Sequence, residues 1–305
     1  MDFKFTEPPL RKEEGEEEIK VVISGDYSDD VGTRVVKIED GVEEIGENAF
    51  REFENLEELY VPSSVKRISA AAFAGCKNLR RVILSAGLSE IGDEAFSSCP
   101  SLTEITVPDT CLRIGEGAFE ACASLGYVKL SENIQMIGAS AFAFCFNLRE
   151  IYVPDSCVLI EFCAFSSCFS LERARLSEGM RLVDESLFEG CRSLVEVELP
   201  SGLIKLGRRA FKDCTSLASV ILPETLVSIG FDAFSGCSSL VRISLPKELS
   251  EIEDNEIFGA CDKLREISFG GSEERWRLMT RGAGVRVQRS DLSVYTPKIL
   301  FLDIK

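Results

Sequence analysis

The chain contains no histidine among its 305 residues. It therefore lacks the commonest general base, the Ser-His-Asp and Cys-His nucleophile systems and any metal site that depends on histidine. It also lacks the phosphate-binding motif G-x-x-x-x-G-K-[ST] and the dinucleotide-binding motif G-x-G-x-x-G. These absences argue against most hydrolases and nucleotide-dependent enzymes. They predict no catalytic residue, no metal site and no cofactor.

Basic residues are scarce, since 34 lysines and arginines face 51 acidic residues and give a net charge of −17. A field of this sign repels phosphate backbones, so nucleic acid is not an expected partner. No apolar run approaches the roughly 18 residues that cross a bilayer, and no membrane insertion is expected. The opening 20 residues are acidic and lack the apolar stretch of a secretory signal, which by itself favours the cytoplasm.

A 23-residue period runs through most of the chain. The stretch IGDEAFSSCPSLTEITVP (Ile91–Pro108) recurs as IGEGAFEACASLGYVKLS and IGASAFAFCFNLREIYVP, and a leucine follows six residues after each phenylalanine of the AF pair. One unit cannot bury its own apolar face, whereas stacked units bury a continuous one. The period predicts a repeat solenoid, mainly β, of about ten rungs, in which phenylalanine stacks on phenylalanine. We number positions in each rung from the anchor phenylalanine, which is Phe50, Phe73, Phe96, Phe119, Phe142, Phe165, Phe188, Phe211, Phe234 or Phe258.

Each rung is predicted to contain two short strands. Apolar residues nine and eleven positions after the anchor, such as Ile105 and Val107, alternate as in a strand that faces a core. Proline then ends that strand, because it cannot donate to a sheet. A second apolar pair follows, and a glycine after it predicts a corner whose backbone conformation strains other residues. These glycines are Gly46, Gly92, Gly115, Gly138, Gly207 and Gly230.

Nine of the twelve cysteines stand three positions after the anchor. The chain has no C-x-x-C pair of the kind that binds zinc, and a large core removes the need for a disulfide framework. We therefore predict a ladder of buried, reduced cysteines that act as small apolar residues. The alternative is redox sensing by Cys111, Cys157 and Cys163, which stand outside the ladder. Free thiols also fit a reducing compartment.

The pattern LxxIxxPxxLxxIGxxAFxxC resembles the leucine-rich repeat of the BspA-like, Treponema-type class, from about Val35 to Phe269. The segment FGGSEERW (Phe269–Trp276) also resembles the way in which many such bacterial domains end. The resemblance implies a curved solenoid with a parallel sheet on one face, and a role in binding proteins or surfaces without catalysis. It further implies a place at the cell surface. The acidic start and free cysteines favour the cytoplasm instead, so the compartment stays open.

The terminal rungs of a solenoid need caps, because they would otherwise expose the core. Residues 1–34 are predicted to form an acidic segment and a β-hairpin, with strands near Ile19–Ser24 and Arg34–Ile38. Residues 35–270 form the predicted solenoid. Residues 271–305 match the period poorly and are predicted to form an irregular C-terminal cap with one or two strands.

Residues eight and ten positions after the anchor should face solvent, because those at nine and eleven face the core. Tyrosine and arginine are enriched among the residues that dominate binding energies. We therefore predict a protein or glycan ligand on this face, although exposed strand positions favour such residues in any case. The candidate binding residues are Tyr60, Tyr127, Lys129, Tyr152, Arg173 and Arg175.

Four more phenylalanines occupy positions where other rungs have polar or small residues. They are Phe144, Phe146, Phe162 and Phe169. Nearby, Met136, Leu159 and Leu182 share one position on successive rungs. Exposed apolar patches usually mark an interface, so we predict a surface for a partner or for self-association. The alternative is a core that widens locally.

The sequence thus favours a non-enzymatic scaffold of leucine-rich repeats that binds a ligand on its sheet face. The alternative is a surface carbohydrate-active enzyme or glycan-binding protein that uses acidic residues on the solenoid. A deep pocket with clustered carboxyl groups of perturbed pKa would favour the enzyme, and a smooth, open surface would favour the scaffold.

Overall fold

The computed structural model describes residues 19–21, 33–254, 256–281, 285, 287–291 and 293–302. Over these residues the chain winds as a β-solenoid of about ten turns, and successive turns pair through parallel strands. The prediction of a repeat solenoid is confirmed. The elements are β1 (Ile19–Val21), β2 (Val35–Ile38), β3 (Glu44–Ile45), β4 (Glu58–Val61), β5 (Arg67–Ile68), β6 (Arg81–Leu84), β7 (Glu90–Ile91), β8 (Glu104–Thr106), β9 (Arg113–Ile114), β10 (Tyr127–Lys129), β11 (Met136–Ile137), β12 (Glu150–Tyr152), β13 (Leu159–Ile160), β14 (Arg173–Arg175), β15 (Leu182–Val183), β16 (Glu196–Glu198), β17 (Lys205–Leu206), β18 (Ser228–Ile229), β19 (Arg242–Leu245), β20 (Glu251–Ile252), β21 (Glu266–Phe269), α1 (Glu273–Met279), β22 (Val287–Gln288), β23 (Val294–Tyr295) and β24 (Lys298–Phe301).

Two ladders of strands run along the solenoid. The long-strand face consists of β1, β2, β4, β6, β8, β10, β12, β14, β16, β19, β21 and β24, and the short-strand face consists of β3, β5, β7, β9, β11, β13, β15, β17, β18 and β20. The pairing follows the period, so that Arg173 lies opposite both Glu150 and Glu196. Each position of the repeat therefore becomes a row of neighbouring side chains along the molecule.

The core contains the predicted row of anchor phenylalanines. All ten rings are buried, successive ring centroids are 5.0 to 5.8 Å apart, and the ring planes are within 18° of parallel. The leucine six positions after each anchor has no exposed surface in any of the ten rungs. Because every rung contributes the same shapes at the same place, the core is one continuous structure.

The nine ladder cysteines are free, buried and aligned next to the phenylalanines. Each thiol donates a hydrogen bond to the main-chain oxygen of the anchor phenylalanine in the preceding rung, with Sγ–O distances of 3.1 to 3.3 Å. Cys168, for example, bonds to Phe142. The cysteine thus fills a small apolar site and also satisfies a carbonyl group inside the core.

The turn that carries the anchor has two residues with left-handed backbone conformation in each of the first nine rungs. Around Phe142 these are Ser140, with a φ of 53°, and Phe144, with a φ of 61°. A left-handed residue other than glycine costs about 1–3 kcal/mol and needs support from its surroundings. Here every second N–H donates to a carbonyl of the next rung, as Ser140 N does to Phe162 O (3.0 Å) and Phe142 N to Ala164 O (2.8 Å).

The corner glycines differ from their prediction. None of the six has a φ in the left-handed region. Instead, a Cβ atom added to Gly115 would lie 2.6 Å from the backbone N of Asp93 and the backbone C of Gly92. Close approach of two rungs, rather than an unusual φ, is therefore what requires glycine at this position.

The N-terminal hairpin is not what the structure shows. Strand β1 pairs with β2 in parallel, with Ile19 opposite Val36, whereas a hairpin needs antiparallel strands. The strand expected near Ile19–Ser24 is described only at residues 19–21, and residues 22–32 lie outside the described part of the chain. The first segment therefore extends the parallel ladder of the long-strand face.

The C-terminal cap is more regular than predicted. Helix α1 begins after Ser272, whose hydroxyl accepts from Arg275 N, and it packs Trp276 on Phe269 with 5.5 Å between ring centroids. Strands β22 and β23 pair antiparallel, while β24 pairs in parallel with β21 and so continues the long-strand face. The carbonyl of Gln288 accepts from Ala260 N in the last anchor turn (2.7 Å). The period did not predict that β24 extends the ladder, because its segment lacks the anchor phenylalanine.

Candidate functional site on the long-strand face

The strand alternation exposes one set of side chains on the long-strand face. Tyr127 and Tyr152 are 44% and 55% exposed, whereas Val128 and Ile151 next to them are buried. Positions eight and ten after the anchor thus face solvent, as the pattern predicts. The face carries residues that differ from rung to rung above a core that does not vary.

A groove of about 400 Å³ crosses β10, β12, β14 and β16 on this face. We call it the strand groove, and its lining includes Tyr127, Lys129, Tyr152, Arg173 and Arg175. Five of the six predicted binding residues of the sheet face are therefore brought together. The open shape fits a surface ligand better than an enclosed small molecule.

The sixth residue, Tyr60, lies on β4, outside the groove. Its hydroxyl donates to Glu58 Oε2 (2.6 Å). The Lys37 ammonium and the Arg81 guanidinium lie 5.8 and 5.9 Å from its ring centroid. Tyr60 is only partly exposed and belongs to a separate cluster of charged residues near the N-terminal end.

Arg175 is held in place by several neighbours. Its guanidinium lies 4.6 Å from the centroid of the Tyr152 ring, and its Nη2 donates to both carboxylate oxygens of Asp155 at 3.2 Å. The main-chain N–H of Glu178, followed by Arg175, lowers the pKa of Asp155. Arg175 therefore fixes the orientation of Tyr152, and much of its charge is already neutralised.

The remaining cations of the strand groove differ in how they are paired. Arg173 donates to Glu150 Oε2 (2.9 Å), and this contact raises the pKa of Arg173. Lys129 makes no side-chain hydrogen bond or ion pair with any residue that the structure describes. Its ammonium is the cation of this groove that is available to a ligand.

The aromatic residues outside the core form a smaller group than predicted. The rings of Phe146 and Phe169 stack at 4.8 Å, Phe144 meets Phe146 edge-on at 6.3 Å, and the guanidinium of Arg192 lies 4.7 Å from the centre of Phe169. We call Phe144, Phe146 and Phe169 the aromatic cluster. Phe162 is 49% exposed but makes no ring contact with them in the described residues.

The repeat is recognised by a model of the BspA type leucine rich repeat region, which matches six copies over residues 43–172 and 159–277. The chain belongs to this family. The family is the one that the residue pattern resembles, and its fold is the solenoid described above. No curated protein matches the chain.

Solved structures similar to this BspA-type chain include a leucine rich cell surface protein from Faecalibacterium prausnitzii. It is 24% identical, covers 89% of this chain and 92% of its own, and superimposes with a TM-score of 0.52, which supports the fold. A leucine-rich repeat protein from Bacteroides ovatus is 27% identical over 89% of this chain and 84% of its own (TM-score 0.41). A leucine rich repeat protein from T. pallidum is 29% identical over 68% and 77% (TM-score 0.45).

The three cysteines outside the ladder are poorly suited to redox sensing in this BspA-type repeat chain. Cys111 and Cys157 are buried, and burial raises the pKa of each thiol to about 11. Cys163 is half-buried, and burial again raises its pKa. Since the thiolate is the reactive form, these surroundings oppose reactivity at neutral pH.

The structure also bears on metals and membranes. Within the described residues, no three histidine, cysteine, aspartate or glutamate side chains are grouped closely enough to hold a metal ion. Over the same residues, no helix has the length and apolar character that crossing a bilayer requires.

Proposed function

We propose that this leucine-rich repeat protein is a non-enzymatic scaffold whose strand groove binds a segment of a protein ligand. The observation that carries the proposal is the groove itself. It joins two exposed tyrosines, Tyr127 and Tyr152, to Lys129, which has no ion pair among the described residues, on the neighbouring strands β10 and β12. Tyrosines that are rigidly held supply a large contact area at small cost in side-chain entropy.

The carboxyl groups support binding rather than catalysis. Burial raises the pKa of Glu120 and of Asp254, as a general acid would need, but neither residue lines the strand groove. Asp155, which lies beside the groove, has a lowered pKa. Both carboxyl groups whose pKa is raised by burial lie outside the strand groove, which favours the scaffold over an acid-base enzyme.

The charges suggest the chemistry of the ligand. Arg173 and Arg175 are already paired with Glu150 and Asp155, so Lys129 is the cation of the groove that makes no ion pair with a described residue. Apolar or aromatic side chains of the ligand would pack on the two tyrosine rings. We therefore propose an extended protein segment with one acidic residue flanked by apolar residues.

Replacing Tyr152 by serine is expected to weaken binding of such a segment by about tenfold or more, because a central exposed ring and its stacked Arg175 are lost. Ligands would be selected from a displayed peptide library on the wild-type protein, and their dissociation constants measured with purified variants. Ile221→Ser is the matched control, since Ile221 is 87% exposed on the same face and lies outside the groove. Selected ligands that bind both variants equally well contradict the proposal.

For the aromatic cluster we propose self-association. Phe144 and Phe146 are exposed next to each other, and such patches commonly mark interfaces. The double variant Phe146→Ser, Phe169→Ser is expected to abolish any rise in molar mass with concentration, as measured by light scattering. Thr215→Ser is the control, because Thr215 occupies the same position of a later rung. An equal mass profile for the wild type and the double variant contradicts this proposal.

A further inference from the structure

One rung carries two adjacent basic residues where no other rung has any. The sequence GRRAF places Arg208 and Arg209 three and two positions before the anchor Phe211. The other rungs have acidic, small, amide or aromatic residues at these positions, as in GDEAF and GEGAF. In a chain with a net charge of −17, this departure places two adjacent positive side chains in one rung. Three arginines and three glutamates line the surface around them, the glutamates being Glu185, Glu251 and Glu253.

The structure places this pair in a second groove, with a volume of about 700 Å³. We call it the arginine groove. It runs along the side of the last rungs up to the end of α1, where Leu278 and Arg281 contribute to its lining. Phe231 and Leu278 are 40% and 75% exposed, so the groove combines charged and apolar surface. Its volume is in the range typical of small-ligand sites.

The two arginines of the pair differ in their partners. Arg208 Nε donates to Glu253 Oε2 at 2.7 Å, and this bond lowers the pKa of Glu253. The same carboxylate oxygen accepts from Phe231 N (3.2 Å). The negative charge of Glu185, which also lines the groove, further raises the pKa of Arg208. The Arg208–Glu253 pair therefore forms a structural part of the groove wall.

Arg209 has no such partner. Its Nε is buried without a hydrogen-bond acceptor, and its guanidinium makes no ion pair in the described part of the chain. The Nε atom is closed to solvent, so a ligand in the groove would meet the rest of the guanidinium, whose charge no described carboxylate neutralises in an ion pair. Arg281, which also lines the groove, likewise makes no ion pair with a described residue.

We propose that the arginine groove binds a small ligand that carries a carboxylate or a phosphate group. Arginine presents its donors in a planar fork that matches both groups. Among the described residues, Arg209 and Arg281 are the guanidinium groups of the groove that make no ion pair. The apolar side of the ligand would lie on Phe231 and Leu278. An acidic sugar or a sugar phosphate has this combination of an anionic group and an apolar ring face.

This site is independent of the strand groove. The arginine groove borders β20 and α1, whereas the strand groove lies on β10 to β16 of the long-strand face. Either proposal can fail without affecting the other.

Calorimetric titration of the full chain at low salt tests the proposal with four probes: glucuronate, glucose 6-phosphate, glucose and inorganic phosphate. The two anionic sugars, or one of them, are expected to bind at least tenfold more tightly than glucose and to weaken as salt is added. Glucuronate and glucose 6-phosphate separate a carboxylate ligand from a phosphate ligand. Inorganic phosphate shows whether the anion alone is recognised. Binding of inorganic phosphate would also support a site for an oxyanion.

Arg209→Gln and Arg281→Gln are each expected to weaken the binding of the anionic probe about tenfold. Arg149→Gln is the control, because it makes the same change in net charge at an exposed arginine outside both grooves. If Arg209→Gln prevents folding, the proposal is tested by the affinity of Arg281→Gln for the anionic probe alone. The proposal is overturned if no anionic probe binds better than glucose, or if the control variant weakens binding as much as the groove variants.

Discussion

Replacing Phe142 by alanine is expected to lower the free energy of unfolding by about 3–5 kcal/mol. Phe142 has no exposed surface and lies in the middle of the phenylalanine row, 5.3 Å from the ring of Phe119 and 5.7 Å from that of Phe165. The substitution removes two stacked contacts and leaves a cavity that rigid neighbouring rungs cannot fill.

The measurement is equilibrium unfolding in urea followed by circular dichroism. Phe231→Ala is the control, because Phe231 is 40% exposed and its truncation should cost far less. In a solenoid each rung is stabilised mainly by its two neighbours. A defect in the middle can therefore also make the two halves of the solenoid unfold in separate transitions. A loss below about 1 kcal/mol for Phe142→Ala would show that the phenylalanine row does not stabilise the fold.

The 23-residue period made the core predictable, because every rung has the same types of apolar residue at the same positions. The anchor phenylalanines, the leucines six positions later and the cysteines three positions later all lie where their spacing predicts. The same argument predicted the exposure of Tyr127 and Tyr152, since alternation along a strand follows from its geometry. A repeated signal of this kind is stronger than any single motif.

The features that the sequence did not reveal depend on contacts between different rungs. The left-handed residues at Ser140 and Phe144 are neither glycine nor asparagine, so no residue type marks them, and the cross-rung hydrogen bonds that hold them are visible only in three dimensions. One or two strands were predicted for the C-terminal cap, but not that β24 continues the ladder, because its segment lacks the anchor phenylalanine. Ile299 and Phe301 lie opposite Ile267 and Phe269.

The candidate site was likewise predictable in part. The spacing identified the exposed positions, but it could not show that Arg173 and Arg175 are paired while Lys129 is not. Arg209 was missed for a different reason. Its signal is not a recurring residue but the departure of one rung from the others, since basic residues stand two and three positions before the anchor in that rung alone.

Replacing Gly115 by alanine is expected to lower the free energy of unfolding by about 1–3 kcal/mol. The new Cβ would lie 2.6 Å from backbone atoms of Gly92 and Asp93 in the preceding rung, and backbone atoms cannot move aside as a flexible side chain can. The cost is bounded, because Ser69 and Glu161 occupy the same position in other rungs, so a rung can adjust to a side chain there.

Gly46→Ala is the matched control for this position. Gly46 begins the same corner in the first rung, its φ is not in the left-handed region, and a Cβ added there would meet no described atom within 4 Å. Alanine at residue 46 is therefore expected to be neutral or to stabilise by about 0.4–1 kcal/mol, because it restricts the unfolded chain. Urea unfolding of both variants decides between two explanations of the glycine row. If alanine lowers the free energy of unfolding at residue 115 but not at residue 46, the close approach of rungs requires glycine. An equal loss in both variants would mean that the backbone conformation of the corner itself requires glycine.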